Sequence, residues 1–282
     1  LIWKAYLKQD SSQLEAAARL TPDFVFPYRT ETVSALNWAV QNDTSWKFKY
    51  YLGLNYWAIQ RDADALRIFR SCGSEPDFDT FYTSRAYLLN KLNDTQELTD
   101  LQKAKQLNPR NWRNWSKLID YYENTSDKEI ALALSTEATK KFKENFNIWL
   151  QFARLQLDNA QYKPCIQTLQ KINIVPFEGS VQGKSIYEQA YLFYAINLMK
   201  EGNYKEAIGK LNKSKEWPEN LGVGKPYDPD NRIQDYLEAL CYEKLGLPLK
   251  AKSLQDEILN FTRLHYDEGG RALNNLIALQ IL

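Results

Sequence analysis

Residues 46–69 read WKFKYYLGLNYWAIQRDADALRIF. Apolar residues recur there at steps of three and four, the period of an amphipathic helix. Yet Gly53 sits inside the pattern, where glycine costs about 1 kcal/mol of helix propensity relative to alanine. Ala65 follows twelve residues later, and the same interval joins Ile119 to Ala131, Ala153 to Cys165, Ala195 to Ala207 and Ala239 to Ala251. Apart from Ile119, every member of these pairs is small. Two antiparallel helices with small residues facing each other approach to the low end of the usual 8–10 Å separation. The spacing therefore predicts that close packing against a second helix offsets the cost of Gly53.

Larger landmarks repeat with a period near 34: Phe81, Trp115 and Trp149 are each 34 residues apart. Large apolar residues flank the small ones, as with Leu52 and Tyr56, Leu118 and Tyr122, and Phe69, Leu101, Leu169 and Leu211. Pro76, Pro109, Pro176 and Pro218 follow the second helices, where proline stops a helix. Gly202-Asn203 and Gly246 mark turns inside pairs. Six pairs are predicted, beginning near Trp46, Asp79, Trp112, Phe146, Glu188 and Arg232. The second is irregular, with Arg85 and Glu97 where small residues are expected. A flank over 1–45 carries helices in SSQLEAAARL and TETVSALNWAVQ, joined by the extended aromatic connector PDFVFPYR. The pairs fill 46–261, and 262–282, ending in GRALNNLIALQIL, reads as a C-terminal helix. The fold class expected is an all-α, α-α superhelix, one continuous solenoid cut from a longer protein.

A unit of about 34 residues built as helix-turn-helix resembles the tetratricopeptide repeat (TPR). A finer resemblance lies in LTPDFVFPYRTETVSALNWAV (20–40), FRSCGSEPDF (69–78) and KEWPENLGVGKPYDPDNRIQDYLEALCYEKLG (215–246). These are similar to the C-terminal repeats of bacterial proteins of the domain of unknown function 5107 family. There the repeats follow a mutarotase-like, sugar-associated portion. The resemblance implies either a scaffold or an accessory module of a larger carbohydrate-associated protein, and carries no catalytic residue onto this chain.

Composition narrows the function further. The 282 residues hold 36 Lys plus Arg against 35 Asp plus Glu, so no net charge pulls the chain to nucleic acid or an anionic membrane. No apolar run reaches the roughly 18 residues of a membrane span. Cys72, Cys165 and Cys241 lie far apart, without disulfide or metal spacing, which favours a reducing, cytoplasmic compartment. His265 is the single histidine. Metalloprotease, nucleophile-elbow and Walker motifs are absent. The reading is therefore of a non-enzyme without cofactor or metal.

The remaining candidates read as local structure. In ENLGVGKPYDPDNR, Gly222, Gly224 and Lys225 fit no phosphate loop. A long connection is expected instead, with Asp228 capping the next helix and Pro229 in its first turn. Asp62 with Asp64, Asp77 with Asp79 and Asp228 with Asp230 read as turn or capping residues. Of six Asn-x-Ser/Thr matches, Asn114 abuts the expected core residue Trp115, so they read as chance.

On the family's pattern, the free face of the first helices lines a concave groove. It would carry Tyr50, Leu54 and Trp57, then Tyr82, then Ser116, Asp120 and Glu123, then Leu150, Arg154 and Leu157, then Leu192, Ile196 and Met199. Tyr50, Trp57, Tyr82, Arg113, Asp120, Arg154, Leu157 and Met199 are the candidate contacts for a protein or peptide partner. The competing reading buries this face against neighbouring repeats.

Overall fold

The computed structural model describes residues 1–261 except residue 178. Both the C-terminal helix expected over 262–282 and His265 lie outside the described residues. The chain forms two compact units, Leu1–Asp127 and Lys128–Leu282. The described residues of both are helical, with no strand, and antiparallel TPR-like helix pairs succeed one another along each unit.

The first unit holds α1 (Ile2–Lys8), α2 (Ser12–Ala18), α3 (Thr32–Asn42), α4 (Trp46–Ala58), α5 (Asp62–Arg70), α6 (Asp79–Lys91), α7 (Glu97–Leu107) and α8 (Trp112–Asn124). The second holds α9 (Lys128–Lys141), α10 (Phe146–Asp158), α11 (Tyr162–Lys171), α12 (Gln182–Lys200), α13 (Tyr204–Ser214), α14 (Arg232–Lys244) and α15 (Pro248–Asn260). Residues 2–8 thus form a helix that the repeat pattern does not announce. Short polar residues set several first-helix starts: Ser45, Asn111 and Asn145 accept hydrogen bonds from the backbone N–H groups of Lys47, Arg113 and Asn147.

Gly53 performs the task its position implies. A Cβ built on it would lie 2.2 Å from Phe69 Cε1 and 2.5 Å from Cδ1. The Phe69 ring occupies the space a side chain would need, which brings α5 against α4. That ring has no solvent exposure and sits 5.8 Å from Tyr50 and 5.6 Å from Phe81, measured between centroids. In the second unit Ala153, Cys165, Ala195 and Ala207 are all fully buried, as small residues at helix contacts must be.

The irregular second pair has a one-residue explanation. Tyr82 Oη donates to the Pro76 carbonyl at 2.9 Å, Trp115 Nε1 to Pro109 at 3.0 Å, and Trp149 Nε1 to Lys143 at 2.8 Å. Each acceptor lies six residues before its donor, so Tyr82, not Phe81, is the counterpart of Trp115 and Trp149. In that register the small residue of α6 is the buried Ala86. Arg85 lies beside it and reaches across to α7, donating from Nε and Nη2 to the two Asp100 oxygens at 2.7 Å each. Its Nη1 donates to the Gly73 carbonyl at 2.9 Å. Glu97 opens α7 and accepts from Asn90 Nδ2.

Turns inside pairs share one left-handed residue even where glycine is missing. Gln60 (φ 63°), Asn93 (φ 57°) and Ala160 (φ 56°) stand where Gly202 (φ 78°) and Gly246 (φ 72°) stand elsewhere. The hydrogen bonds Gln60 N to Trp57 O and Arg61 N to Tyr56 O make this a Schellman cap.

The connection after α13 is built into the core of the second unit. Asn220 Nδ2 donates to the Leu169 and Ile172 carbonyls at 2.9 and 2.8 Å, and the Ile174 N–H donates to the Asn220 carbonyl. Gly222 takes φ 66°, and a Cβ there would meet the Ile174 carbonyl oxygen at 2.6 Å. Gly183 likewise admits Ile174 Cδ1, at 2.8 Å from where its Cβ would be. This packing orders the start of α12, which begins at Gln182, six residues ahead of the expected Glu188. The expected cap at Asp228 does not form. Asp228 is exposed, and it is Asp230 that accepts from the Arg232 N–H and pairs with its guanidinium.

A candidate partner face and an apolar cavity

The candidate groove residues separate by burial. Tyr50 and Tyr82 are each 2% exposed and belong to the core of the first unit, and Leu157 is buried in the second. None of the three has surface to offer a partner. Tyr50 is surrounded by the rings of Tyr51, Phe69, Phe78 and Phe81, and burial pushes its phenol up to about 12. Tyr82 is committed to its bond with Pro76. Leu150 and Ile196, on the same expected face, are buried too. The competing reading, tight packing, describes these positions.

The accessible remainder is smaller. Trp57 on α4 is half-buried and stacks on Tyr87 of α6, with centroids 5.0 Å apart and planes 33° from parallel. Tyr87 is 48% exposed, so this pair presents an aromatic step to solvent. Arg113 on α8 is exposed, its guanidinium 4.6 Å over the Trp112 ring, and Asp120 is half-buried. In the second unit Arg154 and Met199 are half-buried, Met199 against the cluster around Ala195 and Leu211. Tyr87 escapes the sequence reading because the off-by-one register turns it away from the face.

Polar side chains in the interior are structural ties. Asp79 Oδ2 accepts from Asn111 Nδ2 at 2.9 Å and Asn114 Nδ2 at 2.7 Å, and the latter also donates to the Ala104 and Asn108 carbonyls. Asn114 is 1% exposed, which leaves no room for a glycan on the folded chain. Lys184 Nζ donates to Glu188 and to the Ser214 carbonyl at 2.8 Å each, and Gln234 donates to the other Glu188 oxygen at 2.7 Å. These ties link α12, α13 and α14. Burial raises the thiols of Cys72 and Cys165 to about 12 and that of Cys241 to about 11, so each stays protonated and inert. Among the described residues no group of three or more His, Cys, Asp or Glu side chains is placed to hold a metal ion. Nor is any described helix long and apolar enough to cross a membrane.

One concavity in the first unit has no counterpart in the sequence reading. An apolar cavity of about 290 Å³ opens among α1, α2, the 19–31 connector, α3 and α4, lined chiefly by Trp3, Leu20, Val25, Pro27, Leu36 and Tyr51. The connector's Phe24, Phe26 and Tyr28 lie largely in solvent. The sequence shows the aromatic run but not which of its side chains point inward.

No family model matches the chain, and no curated protein matches it. Among solved structures it is similar to a tetratricopeptide repeat protein from Parabacteroides merdae, at 14% identity over 100% of this chain and 96% of that one, with a TM-score of 0.45. It is also similar to MamA, at 14% identity over 64% of this chain and 90% of that one, with a TM-score of 0.43. The pilus biogenesis factor PilW matches at 13% identity over 82% of this chain and 99% of that one, with a TM-score of 0.41. Identities and scores this low say nothing of function, and the fold rests on the helix pairs themselves.

Proposed function

We propose that this chain is a non-catalytic TPR scaffold whose partner is a protein or peptide, held on the first-helix face of the first unit. The observation that carries the reading is the Trp57–Tyr87 step. Two large rings stack across neighbouring pairs, and one of them stays half exposed. Rigid aromatic side chains of this kind supply most of the energy at protein interfaces, since they bury large area at little entropic cost. Arg113 and Asp120, on the next first helix, add charge for selecting among partners. Tyr50 and Tyr82 belong to the core beneath these first helices. Affinity capture with the wild-type chain and with a Trp57→Ala, Tyr87→Ala variant of equal melting temperature tests this. Loss of a specific partner from the variant supports the reading; recovery of every partner at equal yield refutes it.

The accessory-module reading keeps its own support, the resemblance of residues 215–246 to repeats that follow a mutarotase-like portion. On that reading the partner is that portion, and the segment's role is to brace the second unit. Co-purification with a separately expressed mutarotase-like portion would favour it; the absence of any association argues against it.

A further inference from the structure

The connector and α1 of the first unit combine three features that the Trp57–Tyr87 face lacks. The first is the open apolar cavity of about 290 Å³. An apolar cavity of ~150 Å³ takes up benzene, so this one has room for an aromatic ring together with its stem. The second is Phe24, beside the cavity-lining Val25. It is 91% exposed and holds a left-handed backbone at φ 60°, a conformation uncommon for a bulky residue. The Val25 N–H donates to the Pro22 carbonyl and closes this turn, which among the described residues leaves the ring in solvent. The third is area. Leu1, Trp3, Leu20, Val25 and Phe26 are between 36% and 69% exposed. Taking roughly 200 Å² for a fully exposed aromatic side chain, Trp3, Phe24 and Phe26 alone leave about 400 Å² of apolar surface open, to which Leu1, Leu20 and Val25 add. A standard interface buries about 800 Å² on each partner, little more than half of it apolar.

We infer that this patch is a two-fold interface with a second copy of the chain, in which Phe24 of each copy fills the cavity of the other. A knob and a hole on one patch satisfy the requirement of a two-fold contact, in which the same surface serves both partners. Charge agrees. Residues 1–31 carry Lys4, Lys8, Arg19 and Arg29 against Asp10, Glu15, Asp23 and Glu31, so two copies meet without net repulsion. The same neutrality gives a strongly charged partner or an anionic membrane no purchase. The patch shares no residue with the Trp57–Tyr87 pair.

Sedimentation equilibrium of the full chain, from low micromolar to hundreds of micromolar, tests the inference. A monomer–dimer equilibrium is expected. Phe24→Ala removes both knobs of the dimer and should weaken it by roughly 30-fold for each, about 1000-fold in all, the effect of two central interface anchors. Val25→Trp closes the mouth of the cavity from a partly exposed position and should do the same. Mixing the two variants restores one of the two contacts, because the Val25→Trp copy keeps Phe24 and the Phe24→Ala copy keeps an open cavity. A heterodimer stronger than either variant's homodimer is therefore expected. A monomer throughout the range, or a dimer that neither substitution weakens, overturns the inference. So does a monomer whose cavity binds a hydrophobic dye, since the occupant is then something other than a second copy.

Discussion

Gly53→Ala is expected to destabilise the first unit even though alanine is the better helix former. The substitution gains about 1 kcal/mol of helix propensity. Against it stands a methyl carbon placed 2.2 Å from Phe69 Cε1, where carbon atoms in contact normally sit about 3.5–4.0 Å apart. The ring cannot swing away: it has no exposure and is held between the rings of Tyr50 and Phe81. Overpacking of this kind costs about 1–3 kcal/mol, and an overlap of this depth puts the cost at the upper end. The net loss is then about 1–2 kcal/mol, or about 4–8 °C in melting temperature for a unit of this size. Circular dichroism melts read the shift. Phe69→Ala removes the ring atoms that the new methyl group would strike, so the two changes together should cost at least 1 kcal/mol less than their separate costs summed. If Gly53→Ala melts at or above wild type, or if the two changes simply add, the close approach of α4 and α5 is not what holds glycine at this position.

Other sites give independent tests. Ala160→Gly relieves a left-handed alanine, worth about 1–2 kcal/mol, less the roughly 0.4–1 kcal/mol that glycine adds to unfolded-chain entropy. Urea denaturation should therefore show a gain of about 0.5–1 kcal/mol. Asp100→Ala leaves the Arg85 guanidinium without its carboxylate and should cost about 3–5 kcal/mol, while the Arg85→Met, Asp100→Leu pair should recover most of that; the same denaturation series reads both. Cys72, Cys165 and Cys241 should resist a thiol reagent in the native state and react on unfolding. Their folded values of about 11–12 lie above the ordinary value of 9.0, so the stability they contribute is whole below about pH 9 and is lost as the pH rises towards 11–12. Melts repeated across that range should fall, and less so in Cys→Ser variants.

The helical pairs were legible because each rests on a local rule with a hard steric basis. A small residue in most repeats, a proline after four of the six second helices and a polar cap before several first helices each leave a mark in the sequence. What escaped detection depends on contacts between segments distant in sequence. The six extra residues of α12 are ordered by Ile174 and Leu221 packing on Gly183, a contact between two connections that carry no repeat signal. That Asp230 rather than Asp228 accepts from the Arg232 N–H follows from where α14 starts once that connection has packed. Left-handed turns at Gln60 and Ala160 were invisible for a different reason: the sequence marks such a turn only when glycine, or less strongly an asparagine such as Asn93, occupies it.

The partner face was harder to read because it turns on register. A slip of one residue rotates a helix face by about 100°. Aligning Phe81 with Trp115 places Tyr82 towards the groove and hides Tyr87, and it also puts Arg85 where a small residue belongs. The sequence does contain the means to choose. Trp115 and Trp149 each use an indole N–H to hold a carbonyl six residues upstream, so the position requires a ring that also donates. Phenylalanine fills space but has no donor; tyrosine does both. Tyr82, not Phe81, meets the requirement, and with it Ala86 falls at the small position and Arg85 is left to reach Asp100. A repeat aligned on hydrogen-bonding capacity as well as on size therefore recovers the register, and with the register it recovers which aromatic side chain is exposed.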